Sequence, residues 1–269
     1  MSTIDQLVTD IRQHRCYNHP VFENWTANRP PQDVIAALFH QIQKFCASTR
    51  PGWSFPDALA EHDLLRESEL LTEIVESEAD HGPELARMAG FIVNQAAGDQ
   101  VCPDIYDQAD VEARLKKQSD RFLGALPGYT ADEGLTIQAR RAIAVFDRRK
   151  LTDLESTYRN LGTALALEMI SNNHLIPGEK TCLIDSGAYG ASIDQPEMHY
   201  LLEHWGEAGA EQQHEKNAAD AVGAVLNDKT EPLIRQGATE FLDALASLWD
   251  LLDSALLQSG STRELAGVG

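Results

Sequence analysis

Apolar residues recur at steps of three and four along most of the chain, the pattern of helices that bury one face. Ile4, Leu7, Val8 and Ile11 predict a helix over 3–14. Asn18 is placed to cap a second, with Pro20 in its first turn and Val21, Phe22 and Trp25 following. Pro30–Pro31 breaks the chain before a third, 32–47, whose buried side is Val34, Ile35, Leu38, Ile42, Phe45 and Cys46. After the turn at Arg50–Pro51–Gly52 comes a short helical piece, 55–65. A strong helix is predicted over 67–95, carried by Leu70, Leu71, Ile74 and Val75 and then by Leu85, Met88 and Ile92. Gly82–Pro83 is expected to end or kink it. Residues 96–133 are the loosest stretch and read as an excursion with a short helix, a candidate lid. From Gly134 a long helical run reaches His174, a candidate C-terminal cap before Pro177–Gly178. A loop over 176–195, a helix over 199–222 and a core helix over 231–257 complete the pattern. The expectation is an all-α chain with one domain, 1–258, and a disordered tail, 259–269.

Polar residues interrupt this pattern at helical spacing. His204, Glu207, Glu211 and His214 are 3, 4 and 3 residues apart, which puts all four on one stripe of a helix. Burying two imidazoles and two carboxylates without partners is costly, and a metal ion removes that cost. A solvated helix face is the competing explanation. Glu211 and His214 form a Glu-x-x-His pair, the spacing used by di-iron carboxylate bundles, and Glu78 and His81 form a second. Glu168 lies inside a run that is apolar on several sides, with Leu161, Ala164, Leu165 and Leu167 around it. A Glu there is expected to be paired, protonated or a metal ligand.

The formal net charge is -20, which argues against nucleic acid and anionic membrane surfaces as partners. The four cysteines, Cys16, Cys46, Cys102 and Cys182, form no C-x-x-C pair and suit a reducing compartment. The N-terminal stretch has no basic start followed by an apolar run, and no stretch approaches the roughly 18 apolar residues of a membrane span. A cytoplasmic protein is expected.

Two His-containing pairs with further carboxylates can hold two irons and leave positions open for O2 as co-substrate. A four-coordinate zinc site would not use so many carboxylates, and magnesium or calcium would not need two imidazoles. At these residues the chain resembles the haem-oxygenase-like di-iron oxidases and oxygenases, fold relatives of the PqqC and TenA proteins. The resemblance is carried by NHPVFENW, RPPQDVIAALFHQIQKF, EIVESEADHGPELARM, LGTALALEMISNNHLIP and HWGEAGAEQQHEKNAADAV, over most of residues 18–225. It implies a haem-oxygenase-like bundle of about seven helices with the metal between three of them. It implies Glu78, His81, Glu168, Glu211 and His214 as ligands, Glu207 as a ligand or bridge, and His204 as a ligand or an outer donor. It also implies oxidation of a small amino-acid-derived or fatty-acid substrate in natural-product biosynthesis, and allows a homodimer. The chain departs from the family pattern, with Glu207 where the family has His, Glu211 where it has Asp and Ile74 where it often has Glu. The count of irons, one or two, stays open. So do a metal-free PqqC- or TenA-like enzyme and a non-enzymatic metal-binding helical protein.

Overall fold

The regular structure is helical throughout, as the periodicity predicts. A computed structural model describes the chain except residues 1–2, 51, 79–80, 97, 99, 207–208 and 267–269, and describes no side chains from 260 onward. In chain order the helices are α1 (Ile4–Arg12), α2 (Val21–Asn28), α3 (Gln32–Thr49), α4 (Ser54–Glu61), α5 (Leu65–Ser77), α6 (His81–Gln95) and α7 (Gln108–Leu123). They continue with α8 (Ile137–Ala144), α9 (Leu154–Ile170), α10 (Ile176–Lys180), α11 (His199–His204), α12 (Ala210–Val225) and α13 (Glu231–Ala266). Among the described residues the only β feature is one isolated bridge, Thr130 to Leu135. No helix among them is long and apolar enough to cross a membrane.

The expected bundle of about seven helices is therefore wrong, because the chain holds well more than that. Asp63, at φ 63, separates α4 from α5, near the expected boundary between 55–65 and 67–95. Two longer runs of continuous apolar period turn out to be cut. The predicted helix over 67–95 is two helices, α5 and α6, and Gly82–Pro83 lies inside the first turn of α6 rather than at its end. Proline is tolerated there because first-turn N–H groups have no intrahelical acceptor. The predicted helix over 199–222 is also two. Gly206, at φ 83, turns the chain after His204, and α12 starts only at Ala210.

Two stretches, one read as an excursion with a short helix and one as a loop, carry more ordered helix than expected. Within 96–133, α7 packs along α3, with Val111 and Leu115 fully buried. Gln41 Nε2 of α3 donates to Ser119 Oγ of α7 at 2.9 Å. This is core, not a lid. Within 176–195, helical backbone runs on from α9 through a π turn (Ser171–Leu175), α10 and a second π turn (Thr181–Asp185). The Ile176 N–H reaches back to Ser171 O, and this wider register removes the clash that Pro177 would make in a regular α-helix. At the C-terminus α13 continues beyond the predicted end at 257; most of the expected disordered tail lies outside the described side chains.

The centre of the core is α3, α9 and α13. Asp153 caps α9 by accepting from the Ser156 N–H, and every residue from Asn160 to Ile170 is buried. α9 and α13 cross backbone to backbone at two glycines. A Cβ on Gly162 would overlap the Ile234 carbonyl, and one on Gly237 would overlap the Arg159 carbonyl. Thr163 Oγ1 donates to Gly237 O at 3.1 Å, and Arg148 and Arg159 both pair with Glu240 of α13 at 2.7 Å. Phe45, Phe146 and Phe241 fill the space beside this crossing.

Gly162→Ala and Gly237→Ala are each expected to lower stability by about 3 kcal/mol in urea unfolding, since the obstacle is backbone and cannot rotate away. A loss below about 0.5 kcal/mol, the range of neutral surface changes, would contradict the close crossing.

Candidate metal centre

Five helices deliver ligand-type side chains to one buried place. Glu78 caps the C-terminus of α5, its N–H bonded to Ile74 O at 3.0 Å. His81 opens α6, and a Cβ on the next residue, Gly82, would come against the Arg50 guanidinium. Glu168 projects from the buried last turn of α9. His204 comes from the end of α11, and Glu211 and His214 come from the first turns of α12. His204 and Glu211 thus meet across a chain turn, not along one helix stripe. Glu207 lies outside the described residues.

Glu78 stands at the middle. His81 Nδ1 donates to Glu78 Oε2 at 2.8 Å. Glu78 Oε1 lies 3.6 Å from His204 Nε2 and 3.7 Å from His214 Nδ1. His204 Nε2 is also 3.7 Å from Glu211 Oε1, and His214 Nδ1 is 3.7 Å from Glu168 Oε2. These longer separations exceed hydrogen-bond range. They approach the spacing of donors around one ion, which for bonds of about 2.1 Å in a tetrahedron is about 3.4 Å. Two groups, Glu78–His81–His204 and Glu78–Glu211–His214, each have donor atoms within 4.8 Å of one another and could hold a metal ion. They share Glu78.

The protonation pattern favours a cation. His204 Nδ1 lies 2.6 Å from Tyr200 O, and a carbonyl can only accept, so Nδ1 carries the proton. In the neutral ring Nε2 is then a lone pair facing two carboxylates. Glu211 Oε2 and His214 Nδ1 are buried with no hydrogen-bond partner. Burial, and then the Glu78 charge, push the Glu168 carboxyl up to about 8. Burial, then Glu168 and Glu78, raise Glu211 well above its ordinary value. Burial lowers His214. Burial works to raise Glu78 as well, but the two imidazoles beside it, His204 and the hydrogen-bonded His81, outweigh it and hold that carboxyl far below its usual range. Arg149, buried with its NH1 donating to Thr49 O at 2.6 Å, offsets part of the Glu168 charge. Its neighbour Arg148 ties α9 to α13 through Thr163 and Glu240.

Clefts flank Glu78 on two sides. One is lined by Gln43, Arg50, His81 and Tyr200, the other by Phe45, Glu168, His204 and Glu211. Gln43, on the buried side of α3, has both amide atoms buried without partners. A polar residue within an apolar stripe was a signal available for it in the sequence. Nothing in the periodicity marked Tyr200, whose carbonyl acts rather than its side chain. A third group, Glu84–His199–Glu203, is half-exposed at the rim, with His199 Nδ1 donating to Glu84 Oε1 at 2.9 Å. Glu203 Oε2 is 3.7 Å from His81 Nε2, so this group adjoins the centre.

Compared with family models, curated proteins and solved structures, the chain matches none. What stands is an all-helical fold with buried His and Glu groups that could chelate metal.

Glu168 has a consequence for stability. Its ordinary value is 4.5 and the fold raises it to about 8, so the folded chain holds that proton more tightly than the unfolded one. The resulting stabilisation is complete below about 4.5 and is lost as pH rises through about 8. The Tm of metal-free protein is expected to fall by several degrees between about pH 6 and about pH 9, and saturating divalent cation should abolish the fall because ligation uses the ionised carboxylate. A Tm that is flat or rising over this window without metal would contradict the burial of Glu168.

Proposed function

We propose that this chain is a metal-binding helical protein whose centre takes a pair of divalent cations, with iron as the native metal and O2-dependent oxidation of a small organic substrate as its use. The observation that supports this most is the sharing of Glu78 by two three-residue donor groups, as a bridging carboxylate requires. Glu78, His81 and His204 would hold one ion, and Glu78, Glu211 and His214 the other, with Glu168 beside His214. The donor set of imidazole and carboxylate suits iron. The sequence resemblance to haem-oxygenase-like di-iron oxidases supports the oxidative use.

Iron held there supplies one-electron redox chemistry and O2 activation. The chain does the rest. The Tyr200 carbonyl fixes the His204 tautomer so that Nε2 faces inward. Arg149 favours the ionised form of Glu168. Phe45, Leu167 and Leu175 wall one side of the centre with hydrocarbon and limit water there. Metal handling without catalysis is the second reading. It is favoured by the rim group Glu84–His199–Glu203, which with His81 sets a line of donors from the surface to the centre.

Fe(II) titration under nitrogen, with bound metal counted after gel filtration, tests the reading. Wild type is expected to retain about two irons per chain. Glu78→Ala should lose retention of both, whereas His214→Ala should weaken mainly one, by 10-fold or more on the order of other ligand-shell losses. Oxidation of the bound iron on admitting O2, faster than that of free Fe(II), separates the oxidative use from handling alone. Iron retention that is absent, or unchanged in Glu78→Ala, would sink the proposal.

A further inference from the structure

Glu203 stands between two imidazoles. It lies one turn after His199 on α11, and its Oε1 is 3.6 Å from His199 Nε2. Its Oε2 is 3.7 Å from His81 Nε2. Both separations exceed hydrogen-bond range. The other nitrogen of each ring is already engaged. His199 Nδ1 donates to Glu84 Oε1 at 2.9 Å, and His81 Nδ1 donates to Glu78 Oε2 at 2.8 Å. In the neutral rings each Nε2 is therefore a lone pair, and each faces an oxygen of the same carboxylate. Acceptors set opposite one another in this way are joined by a cation.

Nothing else answers the charge of the rim. Among the described residues Glu84 and Glu203 pair with imidazoles alone, and with no Lys or Arg. Glu84 Oε2 is buried without a hydrogen-bond partner. Donor atoms of Glu84, His199 and Glu203 lie within 4.8 Å of one another. Glu84 comes from α6 and the other two from α11, so two helices converge on the group. The hydrogen bond from His199 to Glu84 fixes the ring's tautomer, as a carboxylate does behind a metal-bound imidazole. Exposure falls steeply inward. The side chains of His199 and Glu203 are 45 % and 43 % exposed, and that of His81 is 9 % exposed. An ion arriving from solvent meets His199 and Glu203 before it meets the centre.

We propose that Glu84, His199 and Glu203 form a third cation site, open to solvent, that takes a divalent first-row metal ion and loads the centre through Glu203. The ion stays divalent throughout. Glu203 holds it while the bond to His199 Nε2 breaks and a bond to His81 Nε2 forms. Delivery rests on the metal-centre reading; the rim site does not.

The experiment is equilibrium dialysis of the full chain against Co(II), followed by stopped-flow mixing that reads the rise of cobalt absorption. Wild type is expected to hold about two ions tightly and one more about tenfold or more weakly, which gel filtration would strip. His199→Ala and Glu203→Ala should each lose the weak ion, keep the tight ones and slow the filling of the centre at low Co(II) by about tenfold or more. Glu78→Ala should do the reverse, losing the tight ions and keeping the weak one. Both rim side chains are largely at the surface, so their truncation leaves the fold intact, and circular dichroism checks this. No weak ion in wild type, a weak ion that survives in both rim variants, or filling as fast in both as in wild type would each overturn the proposal. Tight ions absent beside a weak ion that His199→Ala removes would overturn the metal-centre reading and the delivery built on it, and would support the rim site, so the two fail separately.

Discussion

Three carboxylates and three imidazoles give up most of their water where Glu78, Glu168, Glu211, His81, His204 and His214 meet. Holding ionised groups in such a place costs several kcal/mol per charge even after the protein relaxes. The chain offsets part of this internally. Burial biases Glu168 and Glu211 toward their neutral forms, His81 donates to Glu78, and Arg149 stands behind Glu168. The remainder is visible as polar atoms with no partner, Glu211 Oε2 and His214 Nδ1. Metal binding to His and thiolate sites reaches about 10–16 kcal/mol, enough to cover a cost of this size several times over. Burial of these groups together is the constraint that the surrounding helices serve.

They serve it by fixing positions from a rigid crossing outward. Gly162 and Gly237 let α9 and α13 touch through backbone, and α9 carries Glu168 two turns further on. The chain breaks before α6 and α12 serve a different need. They bring donors in from helix ends, where a side chain can approach from a direction that a continuous helix does not offer. The two π turns around α10 keep helical hydrogen bonding through Pro177.

The helical class was legible because nearly every element buries one periodic face, as Val34, Ile35, Leu38 and Ile42 do on α3. The number of helices was not. Apolar period carries across a break without change, and the break after His204 depends on a backbone angle at Gly206 that period does not encode. Glu168 stood out as an acid among apolar neighbours, and Glu78 with His81 by their spacing. Glu211 and His214 do share a face of α12, whereas His204, picked for the same stripe, reaches Glu211 from the end of α11 across a chain turn. The expected count of about seven helices failed on the same ground, since the resemblance that implied it was carried by segments and not by how they join.

The central claim is that Glu78 bridges two metal ions. Crystals loaded with Fe(II) under nitrogen and measured at the iron absorption edge test it directly. The account predicts two anomalous peaks about 3.5–4 Å apart with the Glu78 carboxylate between them, one near His81 and His204 and the other near Glu211 and His214. A centre without a peak, with metal confined to the rim at Glu84, His199 and Glu203, would contradict it.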